Sequence, residues 1–270
     1  MRTIGKLIVS VAAAAVITVA ALATSDAKAQ TQDTITQIKG RGKLLAGVKF
    51  DTPPFGSLND KNEPVGFDLD IVRKVAQRIG VPVEFVKVTS PTRIPLLVSG
   101  NVDLSAASMT HTQERDKAID FSITYYTGAQ SLIVPKGSSI RGVKDLGNKQ
   151  VSVQQGTTLE KNIANAAPGA KIVAFKDYNS AWLALVQGRV DALTGSLNIL
   201  QGFSKNNAEF VILPDRFSTE PFGIGVRQGD SSLRDVINFT LQDMWTSGEY
   251  ATLYKKWFDA EPEVAIEVWP

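Results

Sequence analysis

The chain has 270 residues, with 29 lysines and arginines against 27 aspartates and glutamates, one histidine and no cysteine. So even a charge balance gives no electrostatic case for nucleic-acid or membrane-surface binding. Without cysteine there are no disulfides and no lipid-bearing thiol, and a lone histidine offers no ligand set for a metal cluster; no cofactor or metal is expected.

Residues 1–29 carry Arg2 and Lys6, an apolar run from Leu7 to Ala23, and Ala27-Lys28-Ala29 before Gln30. A charged start, an apolar stretch and a small-x-small site predict an export signal cut after Ala29, hence a periplasmic mature protein. Its loss removes three basic residues and one acidic residue, leaving the mature chain formally neutral. The remaining length buries a sizeable core, in one large domain or two smaller ones.

Gln32 to Lys39 reads as a short amphipathic helix closed by Gly40-Arg41-Gly42. Leu44 to Val48 is an apolar run of strand length that ends in Lys49-Phe50-Asp51-Thr52-Pro53-Pro54-Phe55, where two prolines force a turn. Asn59 to Asn62 is a polar turn. From Gly66-Phe67-Asp68 onward, Ile71, Val72, Val75, Ala76 and Ile79 keep the helical period until Gly80 and Pro82 stop it. Val83 to Val88 is a strand, Ser90 to Leu97 opens a short helix ended by Gly100, and Val102 to Ala107 is a third strand. That alternation is a doubly wound α/β lobe, whose ligands gather at the carboxyl ends of strands.

Ser108-Met109-Thr110-His111-Thr112-Gln113-Glu114-Arg115 follows the third strand. Thr110 and Gln113 have capping-box spacing, which predicts a one-turn helix with its first amides toward a cleft. Amides, two hydroxyls and a guanidinium one turn further on suit a carboxylate. Ile123 to Val134 is strand-like up to Pro135-Lys136-Gly137. A second series begins at Val151-Ser152-Val153 and runs into Gln155-Gly156-Thr157-Thr158-Leu159-Glu160, where Thr157 and Glu160 repeat the capping-box spacing. Strands at Ile172–Phe175 and Val190–Leu193, a helix from Asn179 to Gln187, a loop at Thr194–Asn198, and strands at Phe210–Leu213 and Gly223–Val226 complete a second lobe of similar plan. Two helices, Leu233–Thr246 and Glu249–Phe258, carry Trp245, Tyr250, Tyr254, Trp257 and Phe258 as core anchors, and the tail from Glu261 is expected to be loosely held.

Five stretches in order carry a resemblance: Pro53-Pro54-Phe55, Gly66-Phe67-Asp68-Leu69-Asp70, Thr110 to Arg115 with Ile119-Asp120-Phe121-Ser122, Gln155-Gly156-Thr157-Thr158, and Gly188-Arg189-Val190-Asp191-Ala192. Together they resemble the extracytoplasmic solute-binding proteins of polar-amino-acid ABC importers (family 3 type), over essentially the whole mature chain. Ser90 to Leu97 is most similar to the glutamate/aspartate-binding branch. The resemblance implies an α/β fold of the periplasmic-binding-protein type II class. Lobe 1 would span 30–133 and 225–270 and lobe 2 134–224, with crossovers near Leu132–Val134 and Gly223–Val226 and the ligand between them.

The resemblance also implies that Arg115 clamps the ligand's α-carboxylate with help from Ser108 and Thr110, and that Thr158 donates across the cleft. Arg93 and Ser90 would take a side-chain carboxylate, with Lys49 as a further cation. The forked guanidinium groups suit two separated carboxylates, whereas lysine is a less directional partner. The family usually has an aspartate five residues beyond the Asp191 position, paired with the ligand's α-ammonium. Here Ser196 stands there, and no acid lies between Asp191 and Glu209. A buried ammonium without a counter-charge costs several kcal/mol. Either the ligand lacks an ammonium group, or Asp51 or Glu220 supplies the charge.

The implied function is a monomeric receptor that captures a small carboxylate-bearing solute, an acidic amino acid or related dicarboxylate, and presents its closed form to a membrane permease. The alternative is an exported dehydratase-like enzyme on the same scaffold, with Glu114 as an acidic catalyst.

Overall fold

The computed structural model describes residues 33–269; the expected export signal lies outside them. Helix α1 (Thr34–Arg41) begins at Asp33, whose carboxylate accepts from the Thr36 amide, and ends at Gly42 in the left-handed region. Then come β1 (Leu44–Val48), the short strands β2 (Asp51–Thr52), β3 (Gly56–Leu58) and β4 (Pro64–Val65), helix α2 (Phe67–Ile79), β5 (Val83–Lys87), α3 (Arg93–Val98) and β6 (Leu104–Ala106). A 3-10 turn at Arg115–Lys117 precedes β7 (Ile119–Phe121), β8 (Tyr126–Gly128) and β9 (Gln130–Pro135). The second half contains β10 (Gln150–Gln154), α4 (Thr158–Ala166), β11 (Lys171–Phe175), α5 (Tyr178–Val186), β12 (Ala192–Ser196), α6 (Leu197–Ser204) and β13 (Phe210–Ile212). β14 (Glu220–Phe222), β15 (Gly225–Arg227), α7 (Ser231–Thr246) and α8 (Glu249–Phe258) follow.

Two five-stranded sheets result, ordered β5-β1-β6-β15-β7 and β11-β10-β12-β9-β13. In each, a parallel trio (β5-β1-β6 and β11-β10-β12) is extended by antiparallel strands. The two lobes therefore share a plan, and the carboxyl ends of β1 and β10 present Lys49 and Gln154 to one cleft. β8 and β14 pair with each other, Tyr126 opposite Phe222, and carry the chain between the sheets.

Those passages come earlier than Leu132–Val134 and Gly223–Val226. Leu132 and Ile133 already pair with β12 and β13, and Val226 sits inside the first sheet. The apolar run from Ile123 to Val134 hides the change of sheet, because alternation says that a strand exists and not which partner it joins.

Local readings differ at three other places. Thr110 does not open a helix: its backbone bridges Phe222, and the single turn starts five residues on, where the Arg115 amide donates to the Thr112 hydroxyl at 3.2 Å. At α4 the N-cap Thr157 makes no side-chain cap; its hydroxyl donates instead to the Gln154 carbonyl at 2.7 Å. Thr194–Ser196 is strand rather than loop, and it leads straight into α6.

The core of the first lobe is built on α2, whose buried Phe67, Leu69, Ile71, Val72, Val75 and Ile79 follow the helical period. The ring of Phe67 meets those of Tyr250, Tyr254 and Phe258 with centroids 5.7, 5.9 and 4.9 Å away, so α8 is anchored on α2 by edge-on aromatic contacts. The C-terminal tail is held, contrary to expectation: Ile266 is 4 % exposed, Gln242 donates to the Glu267 carbonyl at 3.1 Å, and the Trp269 ring meets that of Phe239.

Candidate functional site

Lys49 leaves the end of β1 and points across the cleft. Its Nζ donates to Gln154 Oε1 at 2.5 Å and Ser90 Oγ at 3.2 Å, and lies 3.8 Å from Asp51 Oδ1. The side chain is 2 % exposed, and burial lowers its pKa from 10.5 to about 8, with Asp51 pulling the other way. The Tyr178 ring lies under the ammonium, 5.0 Å from its centroid. Asp51 also ties the lobes together, accepting from Gln154 Nε2 at 3.0 Å and from the Tyr178 amide at 2.9 Å.

Arg93, at the start of α3, is equally buried. Its Nη1 donates to the carbonyls of Ala107 (2.7 Å) and Ser108 (3.3 Å), while Nε has no partner. Burial lowers its pKa to about 9, and the neighbouring Arg115 adds to that. Ser108 adopts φ +47°, a conformation costly for a non-glycine residue. Asp68 holds it there, accepting from the Ser108 amide at 2.9 Å and hydroxyl at 3.3 Å and from Tyr125 OH at 2.8 Å. Burial raises the Asp68 pKa to about 6 against the pull of those donors.

The opposite end of the cleft is built from hydroxyls backed by an acid. Thr110 Oγ1 and Thr158 Oγ1 stand 3.2 Å apart and both donate to Glu220 Oε2, at 2.7 and 2.6 Å. Asn162 and Ser218 donate to the other carboxylate oxygen, each at 2.7 Å. Glu220 is 2 % exposed; it makes no close ion pair among the described residues, and Arg115 is its electrostatic partner at longer range.

These groups line a narrow, partly open cavity of about 20 Å³. Seven of the eight residues expected from sequence line it: Lys49, Ser90, Arg93, Ser108, Thr110, Thr158 and Ser196. Leu159, Ile199 and Phe222 supply its apolar wall, and no carboxylate is in the lining. The eighth, Arg115, stands at the rim: it lines an adjoining outer cleft that shares Thr157 and Thr158 with the cavity. It donates to the Thr110 carbonyl at 2.7 Å and, across the cleft, to the Gly156 carbonyl at 3.3 Å.

Sequence reasoning missed Gln154 and Tyr178. Gln154 is fully buried and joins Lys49, Ser90 and Asp51, and the Tyr178 hydroxyl is buried without a partner. The position of Gln154 at the carboxyl end of β10, equivalent to Lys49 on β1, is the signal that would have found it. Among the described residues no cluster of acidic or histidine side chains could hold a metal, and no helix is long and apolar enough to cross a membrane.

Residues 44–260 match the bacterial extracellular solute-binding proteins, family 3. The chain belongs to that family. It is 40% identical over 240 residues to the ABC transporter glutamine-binding protein GlnH of Bacillus subtilis (strain 168), a match covering 87% of this chain and 88% of that one. It is 31% identical over 240 residues to the L-glutamate/L-aspartate-binding protein of Pseudomonas aeruginosa, covering 83% and 80%. Among solved structures, the P235GK mutant of ArgBP from T. maritima superposes with a TM-score of 0.81 at 36% identity, covering 84% of this chain and all of that one. The glutamate/aspartate branch is thus one of several within this reach, and these relatives are substrate-binding proteins rather than enzymes.

Proposed function

We propose that the chain is the extracytoplasmic, periplasmic receptor of an ABC importer for an acidic amino acid. It would act as a monomer and deliver its closed, loaded form to a membrane permease. The observation that carries this reading is the polarity of the cavity: Lys49 and the unpartnered Nε of Arg93 stand at one end, and the Thr110–Thr158 hydroxyl pair backed by Glu220 at the other.

A side-chain carboxylate belongs against Lys49, Arg93 and Ser90, where cations and a hydroxyl converge. Both threonine protons are turned to Glu220, so their oxygens present lone pairs to the ligand. An α-ammonium seated there gains acceptors and lies next to a buried carboxylate that has no cation of its own within ion-pair distance. Glu220, rather than the residue at position 196, then supplies the counter-charge. Arg115 reaches the α-carboxylate from the rim. Closure follows because ligand contacts to Thr158 and to Thr110 are satisfied together only when the lobes meet.

The test is a calorimetric panel of glutamate, aspartate, glutamine, 2-oxoglutarate, succinate and arginine. Glutamate or aspartate should bind most tightly, 2-oxoglutarate at least tenfold more weakly, and arginine not at all. Equal affinity for the amine-free acids would overturn the ammonium seat. The similarity to GlnH favours glutamine as a second reading, and tighter binding of glutamine than of glutamate would establish it in place of the first.

A further inference from the structure

Helix α6 of the second lobe carries Gly202 in its interior, although glycine is a poor helix former and the local backbone is one that alanine adopts. The reason for the glycine lies in the other lobe. A Cβ at this position would stand 2.5 Å from the Pro53 carbonyl oxygen, 2.8 Å from its carbon and 3.1 Å from the Pro53 side chain. Pro53 belongs to the turn between β2 and β3, so the obstacle is main chain on a turn that also carries Asp51 to the cleft. No rotamer relieves a contact with a carbonyl. The movement that does relieve it is separation of the lobes. One turn earlier on the same helix, Asn198 accepts from Tyr126 OH at 2.5 Å, so this face of α6 meets both the Pro53 turn and the crossover strand β8.

We propose that Gly202 is a closure determinant: it lets α6 seat on the Pro53 turn, and a single methyl group there holds the cleft ajar without touching the ligand. The proposal rests on the two-lobe receptor reading, and it extends that reading by separating closure from recognition. Gly202 is a positioning residue, and its substitution acts on every ligand alike. The sign of the effect is distinctive. Gly202→Ala improves the helix propensity of α6 while opposing closure, so the ligand-free protein holds its melting midpoint or gains in it as binding weakens.

The chain has no cysteine, so closure can be trapped directly. The oxygens of Thr110 and Thr158 are 3.2 Å apart across the cleft, so cysteines there place their sulfurs within about an ångström of the roughly 2 Å S–S bond. A Thr110→Cys/Thr158→Cys pair is oxidised without ligand in three backgrounds: wild type, Gly202→Ala and Gly40→Ala. Gly40 is a helix glycine with open space around its Cβ position, so it reports propensity alone.

Disulfide formation should slow at least tenfold with Gly202→Ala and stay unchanged with Gly40→Ala. In the cysteine-free chain, Gly202→Ala should weaken every ligand that wild type binds by about the same factor, at least tenfold, with the ranking kept. A wild-type trapping rate in Gly202→Ala overturns the proposal. So does a Gly202→Ala protein that melts well below wild type, because the clash would then be absorbed within the lobe. If wild type binds none of the amino acids or dicarboxylates, the ligand reading fails, and the trapping rate still decides the role of Gly202.

Discussion

Above pH 8 the free protein and its complex with a carboxylate ligand should carry different numbers of protons, and Lys49 is the group responsible. Burial brings its pKa from 10.5 to about 8 although Asp51 lies 3.8 Å away, so the site disfavours the ammonium by ~3 kcal/mol relative to water. Between about 8 and 10.5 the unfolded chain binds the proton that the folded protein has lost. Ligand-free stability from this group therefore rises with pH across that window and is flat, at its lowest, below it. Binding has the opposite sense. A ligand carboxylate against Nζ favours the charged form and raises the pKa in the complex, so binding above pH 8 takes up a proton. Affinity should fall at a slope approaching tenfold per pH unit, ~16-fold from pH 8 to 9.5, with little contribution from Lys49 below 7.

The assay is isothermal titration at pH 7, 8, 9 and 9.5 in two buffers of different ionisation enthalpy. An amine-free dicarboxylate serves as ligand so that only protein groups titrate. Lys49→Met should flatten the slope until Arg93, which burial brings to about 9, begins to titrate. Lys49→Met should remove the rise in ligand-free stability between pH 8 and 10.5. Affinity that stays flat from pH 7 to 9.5 with buffer-independent heats would refute the argument that Lys49 faces the ligand's charge.

Arg93→Ala should weaken dicarboxylates by ~3–5 kcal/mol and monocarboxylates far less, because it removes one partner of a buried charge pair; equal losses by calorimetry would take Arg93 out of the specificity pocket. Arg115→Ala should abolish binding while moving the melting midpoint little, since the side chain stands at the rim and donates only to two carbonyls; unchanged affinity would end its assignment to the α-carboxylate. Glu220→Gln should erase the preference for glutamate over 2-oxoglutarate, and adding Ser196→Asp to that variant should restore it by putting an acid where the family usually has one. A Glu220→Gln protein that still favours glutamate would send the ammonium elsewhere.

The first lobe was legible almost to the residue because its signals are local. The period from Ile71 to Ile79 and the stop at Gly80 gave α2 its end, and the prolines after Asp51 ended β1 and β2. The crossovers were not, since a three-residue strand such as β8 is too short to show a period, and its partner β14 lies some ninety residues away in sequence. The capping reading at Thr110 failed for a related reason. A hydroxyl with cap spacing also serves as a donor to a distant acid, and Thr110 is held in extended backbone by its bridge to Phe222 with its hydroxyl on Glu220. Seven of the eight expected residues reach the cavity lining because they sit at or soon after strand ends or at helix starts. Gln154 escaped because a neutral amide carries no charge signature, although it ends β10 much as Lys49 follows the end of β1.

The acids explain how one cavity can be cationic in its lining and still take an amino acid. Asp68 fixes the donors of Ser108, Glu220 fixes the hydroxyls of Thr110 and Thr158, and Asp51 holds Gln154 and the Tyr178 amide. All three stand one layer behind the wall, so their charge reaches the ligand through hydroxyls and amides whose orientation they set. Asp51 is already balanced by Lys49, and Asp68 is spent on a strained serine. Glu220, like Asp68, makes no close ion pair among the described residues, and its electrostatic partner at longer range is Arg115. It also touches both lobes through Thr110 and Thr158, so an ammonium that settles on those oxygens neutralises the acid and draws the lobes together in a single step. In the proposed reading, recognition of the amine favours closure of the cleft, and a ligand without the amine should lose part of both.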